Sequence, residues 1–574
     1  MLEALFSLPG FNMPGLILIL GAALVPFLAA SIRGFYMLAL IFLSAAQIWG
    51  LQQGVHMTAE LAGFQLVPVR ASPLSLPFGV VFHIAAGLSV IYAWHEPMRR
   101  TLTAGFAYAG AAIAALYAGD FITLFIYWEL TAFTSVVLIL AGQTQNSMAA
   151  AMRYLLLQVG SGVILLGGAA LLWRSGAPLT IGALDAMTPA GMLILIAFGI
   201  KAAFPLVSDW LQDAYPEASP AGTVMLSAFT TKLAIFMLAS CFAGFTPLIY
   251  IGAIMAVVTS FYAFIENDLR RALAYSLNGQ LGLMVVGIGI GTSLALNGAV
   301  AHAFASTLYQ GLLFMAMGAV LYRTGTAKAD RLGGLARFMP ITALCAAIGG
   351  ASIASVPLFS GFATKSLTLG AAAKAGYEGV WLVLLFTSVA ALLHSGLRLS
   401  YQAFFAANAD MEKQQPQEAP RGMLLAMGLA AALSLLIGVY PQPLYALLPH
   451  PVSYKLWDGG HVLGELQLLA FAALGFVWAL RRGLISPPQD RIVLNTDWFL
   501  RAAAKHVVLD IARPLVQLWF IALGKTRDAL LHILTLSEET SRQSGLVSGI
   551  ASTGAAAGIF LAVFALMLLI RQIT

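Results

Sequence analysis

Charge is what this sequence has least of. Only 9% of its 574 residues are Asp, Glu, Lys or Arg, against about 25% in an ordinary soluble domain, while 60% are hydrophobic and the mean hydropathy is +0.87. That balance excludes a soluble globular chain. Cysteine is almost absent as well. Cys241 and Cys345 lie far apart in separate apolar runs, which excludes a disulfide framework and a thiolate cluster or metal site; no cofactor and no metal are expected. A surface basic patch is missing despite the net charge of +6, so nucleic acid is not an expected partner. The opening stretch "MLEALFSLPGFNMPG" has neither the basic n-region nor the small-residue cleavage site of a removable signal peptide, so the apolar run from Met13 reads as a retained helix.

What is present is a succession of apolar runs. A hydrocarbon core about 30 Å thick needs about 20 apolar residues per helix, and the runs predict an all-α polytopic membrane protein of about sixteen spans. Their ranges are 13–30, 34–52, 76–96, 102–118, 120–142, 149–173, 190–206, 222–243, 246–265, 271–290, 295–322, 340–357, 380–406, 422–445, 462–481 and 551–571. Loops taken alternately put Arg33, Arg99, Arg100, Arg153, Arg270, Arg271, Arg323, Lys328, Arg331, Arg337, Lys413, Arg421, Arg481 and Arg482 on one side, and little beyond Arg70, Arg174, Lys374 and Lys455 on the other. The first side is then cytoplasmic, and an even helix count places both termini outside. A polar stretch, 483–549, contains "HVVLDIARPLVQLWFIALG", whose helical apolar spacing reads His506 to Gly524 as a lateral amphipathic helix, with Pro514 as its expected kink point.

Two segments break the pattern. In "FGIKAAFPLVSDWLQDAYPEASP" Lys201 is followed by Pro205, Pro216 and Pro220, and in "ASIASVPLFSGFATKSLTL" Pro357 and Gly361 precede Lys365. Paired interruptions of this kind point to repeats with an ion path at the breaks. The expected organisation is 1–100 as N-terminal helices, 101–244 and 245–407 as two five-helix repeats, 408–482 as further helices, 483–549 as the cytoplasmic segment and 550–574 as the last span. No residue-level repeat is visible between the two halves.

Glu129, in "FIYWELTAFTSVVLIL", lies more than two turns from the nearest polar break at Asp120. An ionisable group at that depth costs about 2.5–3.5 kcal/mol; with Lys201, Lys232 and Lys365 the cost reaches the order of 10 kcal/mol, comparable to a domain's whole stability. Mutual compensation, Glu129 pairing with Lys201 or Lys232, would offset it. One such pair could be a static register pin, but charges on successive helices suit a relay, because moving one charge changes how tightly its neighbours hold protons. His302, followed on the same face by Tyr309 and Gln310, is either a hydrogen-bonded core residue or a relay member. His394 and Arg398 sit one turn apart, lining the path or, for Arg398, snorkelling to the interface. Asp209, Asp213 and Glu217 form either the mouth of a path or a solvated loop.

"YWEL", "FGIKAAFPLVSDWLQDAYPEASPAGTVMLSAFTTKLAIFML", "NDLRRALAYSLNGQLG" and "LGGLARFMPITALCAAIGGASIASVPLFSGFATKS" resemble the antiporter-like subunits shared by respiratory complex I, membrane-bound hydrogenases and multisubunit Mrp-type cation/proton antiporters. The likeness runs from Tyr108 to Phe405 and is nearest to the D subunit of the Mrp type. It implies a fourteen-helix core with two inverted five-helix repeats and two broken helices. It also implies a proton relay in which Glu129 modulates Lys201, Lys232 connects onward, His302 opens the second half and Lys365 stands at the second break. The chain departs from the family where an "NHAFFK"-like run becomes Ala305 to Gln310, so that Ser306 and Gln310 replace histidine and lysine, and where Tyr215 replaces a histidine.

The function expected is a proton-translocating subunit of a Na⁺ or K⁺/proton antiporter, a secondary transporter and not an enzyme. Its partners would be other membrane subunits, protons, monovalent cations and the lipid bilayer of a bacterial inner membrane. The alternatives are a pumping subunit of a redox-driven complex, of quinone oxidoreductase or hydrogenase type, and the membrane subunit of an inorganic-carbon uptake system.

Overall fold

In the computed structural model the chain between residues 13 and 485 is helical apart from one hairpin. The structure describes residues 13–485, except 62 and 97, together with 517 and 518. The expected lateral helix His506 to Gly524 and the last span, 550–574, lie outside the described residues apart from Gln517 and Leu518.

The elements run α1 (Leu16–Ala22), α2 (Ala30–Trp49), β1 (Gly54–Leu61), β2 (Phe64–Ala71), α3 (Ser75–Tyr92), α4 (Arg99–Leu116), α5 (Phe121–Leu140), α6 (Gln145–Arg174), α7 (Pro189–Lys201) and α8 (Asp209–Ala214). They continue with α9 (Pro220–Ala228), α10 (Thr230–Cys241), α11 (Pro247–Ile265), α12 (Leu269–Ile290), α13 (Ser293–Thr324), α14 (Pro340–Ile353), α15 (Ser360–Lys374) and α16 (Glu378–Ala391), which passes into π-helical turns at Leu392–Arg398 and Tyr401–Phe405. The short α17 (Ala409–Gln414), α18 (Arg421–Val439), the short α19 (Gln442–Ala446) and α20 (Gly459–Arg481) follow. Among the described residues eleven helical spans are long and apolar enough to cross a membrane. Of the five other apolar runs, 13–30, 190–206 and 340–357 form shorter helices, α4 is long enough but less apolar, and 551–571 lies outside the described residues.

The hairpin β1–β2, antiparallel with Gly54 opposite Ala71, was not legible in the sequence. Its role is to brace the start of α5. Arg70 N–H donates to the Tyr117 carbonyl at 2.7 Å, Gly119 N–H to the Val67 carbonyl at 2.9 Å, and Val67 N–H to the Asp120 carboxylate at 2.7 Å. Asp120 also caps α5 by accepting from Ile122 and Thr123 N–H, satisfying donors that have no partner within the helix. The helix that carries Glu129 is therefore fixed at its first turn.

A repeat invisible in the sequence is plain in the backbone. Asp120 and Asp268 cap α5 and α12 in the same way, and each bridges to a later loop residue, Thr180 and Lys328 respectively. Thr144 and Thr292 cap the following helices, α6 and α13, again alike. At the interruptions Ala203 and Leu206 take φ of 60° and 73°, while Ser355 and Leu358 take 62° and 75°. Left-handed conformations are uncommon outside glycine, so two matching pairs flanking Pro205 and Pro357 mark one backbone design used twice. Five helical spans fill 99–241 and five fill 247–405; an odd number of crossings turns the second set over relative to the first. Sequence failed to show this because the two copies agree in caps and backbone angles rather than in side chains.

Candidate functional site

Each break leaves helix-terminal carbonyls without partners in the ladder and Pro205 or Pro357 without an N–H to continue it. At the first break the Trp210 indole N–H donates to the Ile200 carbonyl at 2.9 Å. At the second the Lys365 ammonium donates to the Ile353 carbonyl at 2.5 Å. Lys201 is itself the last residue of α7. The Lys365 ammonium thus lies at the C-terminal end of a half-helix, where the macrodipole favours a cation, whereas Lys201 sends its ammonium across to α5.

The first lysine is fully buried. Its ammonium donates to the Trp128 carbonyl at 2.7 Å and to the Thr131 hydroxyl at 2.8 Å, and lies 4.2 Å from the centre of the Trp128 ring. Thr131 can accept because its own proton goes to the Trp128 carbonyl at 2.7 Å. The indole is held in turn by donation to Ser161 at 3.0 Å, and Ser161 donates to the Ala197 carbonyl of α7 at 2.8 Å. A closed polar ring across α5, α6 and α7 positions Lys201.

Direct pairing of Glu129 with Lys201 or Lys232, which the sequence suggested, does not occur. Among the described residues no ion pair joins them within 4.0 Å. Glu129 follows Trp128 on α5 and is half-buried; its Oε1 has no hydrogen-bond partner and abuts Gly162 of α6, where an added Cβ would collide with the carboxylate. Its charge and that of Lys201 act on one another across the gap. Lys232, also fully buried, donates to the Ser227 carbonyl at 2.7 Å, across the kink at Phe229 that separates α9 from α10.

In the second half the expected face divides. His302 reaches the Thr364 hydroxyl through Nδ1 at 3.1 Å and the Gln280 side-chain oxygen through Nε2 at 3.2 Å, and Tyr309 joins the same cluster, 3.2 Å from His302 and 3.3 Å from Gln280. Gln310 instead turns away and donates to the Leu273 carbonyl of α12 at 2.8 Å. Thr364 precedes Lys365 on α15, so the histidine cluster and the second lysine are neighbours.

Four further candidates lie around the two halves. Arg398 does not snorkel: it is buried and donates to the Ala263 and Glu266 carbonyls at 3.2 and 2.7 Å, closing the C-terminus of α11. His394 contacts the Ser395 hydroxyl at 2.7 Å, and Ser395 donates to Ser276 at 3.0 Å. Asp213 is paired with Arg153 at 3.1 Å at the edge of the bundle, and Asp209 is buried on the same short helix, α8. Asp209 and Asp213 thus lie on a short helix, and Glu217 in the turn that follows it.

Several residues escaped sequence reasoning. Trp128, Thr131, Gln280 and Thr364 carry no charge and gave no signal. Arg270, in the sequence only a cytoplasmic charge, donates to the Pro216 and Ala218 carbonyls at 2.7 and 2.8 Å and bonds the Thr223 hydroxyl, latching the turn between α8 and α9. Glu465 could have been found: it is a lone carboxylate in an apolar run, as Glu129 is.

Comparison with known proteins gives a consistent picture. The family described as NADH:quinone oxidoreductase/Mrp antiporter, transmembrane, matches residues 118–393. The chain is 27% identical over 494 residues to the A/B subunit of a probable K(+)/H(+) antiporter of Rhizobium meliloti (strain 1021), covering 79% of this chain and 49% of that protein. It is 28% identical over 424 residues to the A1 subunit of a Na(+)/H(+) antiporter of Staphylococcus haemolyticus (strain JCSC1435), covering 65% and 52%. These relatives are of the A or A/B type, which corrects the nearer likeness to the D type. The chain spans about half the length of the curated relatives it matches. Its fold is that of a chain in the Mrp complex from Dietzia sp. DQ12-45-1b, with a TM-score of 0.74 at 23% identity over 95% of this chain and 64% of that one.

Proposed function

We propose that this chain, whose residues 118–393 match the family described as NADH:quinone oxidoreductase/Mrp antiporter, transmembrane, is the proton-translocating membrane subunit of a multisubunit Na⁺ or K⁺/proton antiporter. It acts as a secondary transporter, not as an enzyme. The observation that carries this reading is the setting of Lys201, an ammonium fully buried at a helix break on a carbonyl, a hydroxyl and an indole face. No carboxylate closes on it among the described residues. A static pin would be expected to close its ion pair, since an unpaired charge in a low-dielectric interior is costly. The gap between Glu129 and Lys201 leaves the ammonium free to change its protonation as the carboxylate's charge or hydration changes.

In this reading Glu129, Lys201, Lys232, His302 and Lys365 form the relay in that order, with Tyr309 and Gln280 bridging at His302. Gln310 carries no proton; its amide is committed to α12, and the Tyr309 hydroxyl occupies the place beside His302. Asp209 and Asp213 border the cytoplasmic side, and His394 and Arg398 support the second half from the π-helical continuation of α16. The basic loops support a cytoplasmic side at residues 99–100 and 270–271 in a bacterial inner membrane, with both termini periplasmic. Segments 99–241 and 247–405 act as the two inverted repeats.

The test is a fluorescence assay of ΔpH in everted vesicles holding the complete assembly, with Na⁺ or K⁺ added after respiration has acidified the lumen. Cation-dependent collapse that Lys201→Ala abolishes, with the assembly intact, supports antiport through this chain. The family name also covers quinone oxidoreductases, so the second reading is a redox-driven pump. Acidification that itself requires this chain, with no response to either cation, would establish that reading instead.

A further inference from the structure

Helix α20 lies on the bundle with most of its surface uncovered. Leu463, Leu466, Phe471, Leu474 and Trp478 are all exposed by 44–74%, and its buried residues are Glu465, Leu469 and Phe476. With that many apolar side chains to choose from, packing by hydrophobicity alone would not turn the helix's one carboxylate inward. Glu465 is nevertheless only 9% exposed. An intramembrane carboxylate that faces protein is a functional-site hypothesis by default, and its partner should be identifiable.

The contacts on either side of Glu465 locate it. One turn before it, His461 meets the Ser366 hydroxyl through Nε2 at 3.0 Å and stacks on the Phe362 ring, 5.1 Å between centres and 20° between planes. One turn after it, Leu469 packs with Ala354 and Leu392. Residues 461, 465 and 469 share one helix face, so Glu465 spans the second break between α14 and α15, where Lys365 donates to the Ile353 carbonyl. The charges of Glu465 and Lys365 act on each other. The other titratable groups that face this lysine are His302, through Thr364, and His394.

We propose that Glu465, with His461 one turn before it, is the carboxylate partner of Lys365 and forms a second acid–base site of the relay, built by a helix outside both repeats. The arrangement reproduces the first half: Glu129 faces Lys201 and Glu465 faces Lys365, and in neither case does an ion pair close within 4.0 Å among the described residues. The step is a proton transfer. A Lys365 N–H bond breaks and an O–H bond forms on Glu465, leaving a neutral amine and a neutral acid; the acid then passes its proton toward His461 and the end of α20 opposite Arg481 and Arg482. The inference rests on the relay reading above.

A double-mutant cycle tests it, using initial rates of cation-dependent ΔpH collapse in vesicles with the complete assembly. Lys365→Ala and Glu465→Gln are each expected to lower the rate about 10-fold or more. The double variant should be no slower than the worse single, because groups acting as one unit give non-additive losses. Glu465→Asp should restore part of the rate, which a packing role would not predict. An assembled Glu465→Gln with the wild-type rate, or losses that multiply in the double variant, would overturn the proposal. If the amide variant does not assemble, Glu465→Leu, apolar and of similar volume, carries the same two outcomes. Lys201→Ala in the same preparations separates the two claims: full transport there sinks the relay reading itself, whereas an inactive Lys201→Ala beside a fully active Glu465→Gln sinks only the second site.

Discussion

Lys201 and Trp128 make the contact on which the first half turns: the ammonium donates to the Trp128 carbonyl at 2.7 Å while lying 4.2 Å from the centre of the same residue's indole. Glu129 is the next residue along α5. The helix that carries the carboxylate therefore also holds the lysine, and a small rotation of α5 would alter both the lysine's hydrogen bonds and the field acting on it.

Thr131→Val removes the hydroxyl that accepts from Lys201 and keeps the shape. A lost hydrogen bond to a charged group costs about 1.5–3 kcal/mol, so transport should fall severalfold while the assembly survives. Thr131→Ser should retain most of it. The ΔpH assay on both variants decides, and equal rates in Val and wild type would show that the hydroxyl contributes nothing.

Gly162→Ala should mimic loss of the carboxylate without touching it. The added methyl occupies the space of the Glu129 carboxylate, and overpacking of this kind costs about 1–3 kcal/mol. Reduced transport is expected, close to that of Glu129→Gln, together with a lower melting temperature in detergent. Leu156→Ala, on an exposed position of the same helix, should leave the rate unchanged.

Arg270 donates to two carbonyls in the turn between α8 and α9. Arg270→Lys should destabilise the protein nearly as much as Arg270→Gln, by about 2–4 kcal/mol, because an ammonium is a point charge and cannot span the geometry of a guanidinium fork. Thermal unfolding monitored by size-exclusion would show it, and a wild-type melting temperature in the lysine variant would refute the latch.

Glu266, just beyond α11, has its Oε1 on the Asn267 and Asp268 N–H groups while its Oε2 is buried with no partner among the described residues. Burial raises its carboxyl above the ordinary value of 4.5, against the lowering effect of those N–H groups and the Arg271 charge. A group that binds its proton more tightly when folded contributes stability at low pH and loses it as pH rises through the folded value. Glu266→Gln should therefore raise the melting temperature at about pH 7–8, with the gain shrinking toward about pH 4. A gain that grows on acidification would contradict this sign.

The ion pair of Arg153 and Asp213 is half-exposed on the arginine side, and pairs of that kind contribute about 1 kcal/mol or less. Asp213→Asn should leave the melting temperature nearly unchanged. A large loss of transport at unchanged stability would then mark Asp213 as part of the path rather than of the scaffold.

The amino-acid sequence by itself determined the membrane-spanning class, the positions of both breaks and four of the buried charges, because a bilayer makes each of these a matter of composition: apolar length, a missing N–H at Pro205 and Pro357, and the cost of Glu129, Lys201, Lys232 and Lys365 in hydrocarbon. Only the tertiary structure decided which groups meet. Trp128, Thr131, Gln280 and Thr364 carry no charge that could single them out, Gln310 was turned to α12 rather than to His302, and Arg398 was given to a helix end rather than to the interface. The repeat stayed hidden for the same reason. It is written in the φ angles of Ala203, Leu206, Ser355 and Leu358, which the fold imposes on residues with no local preference for them.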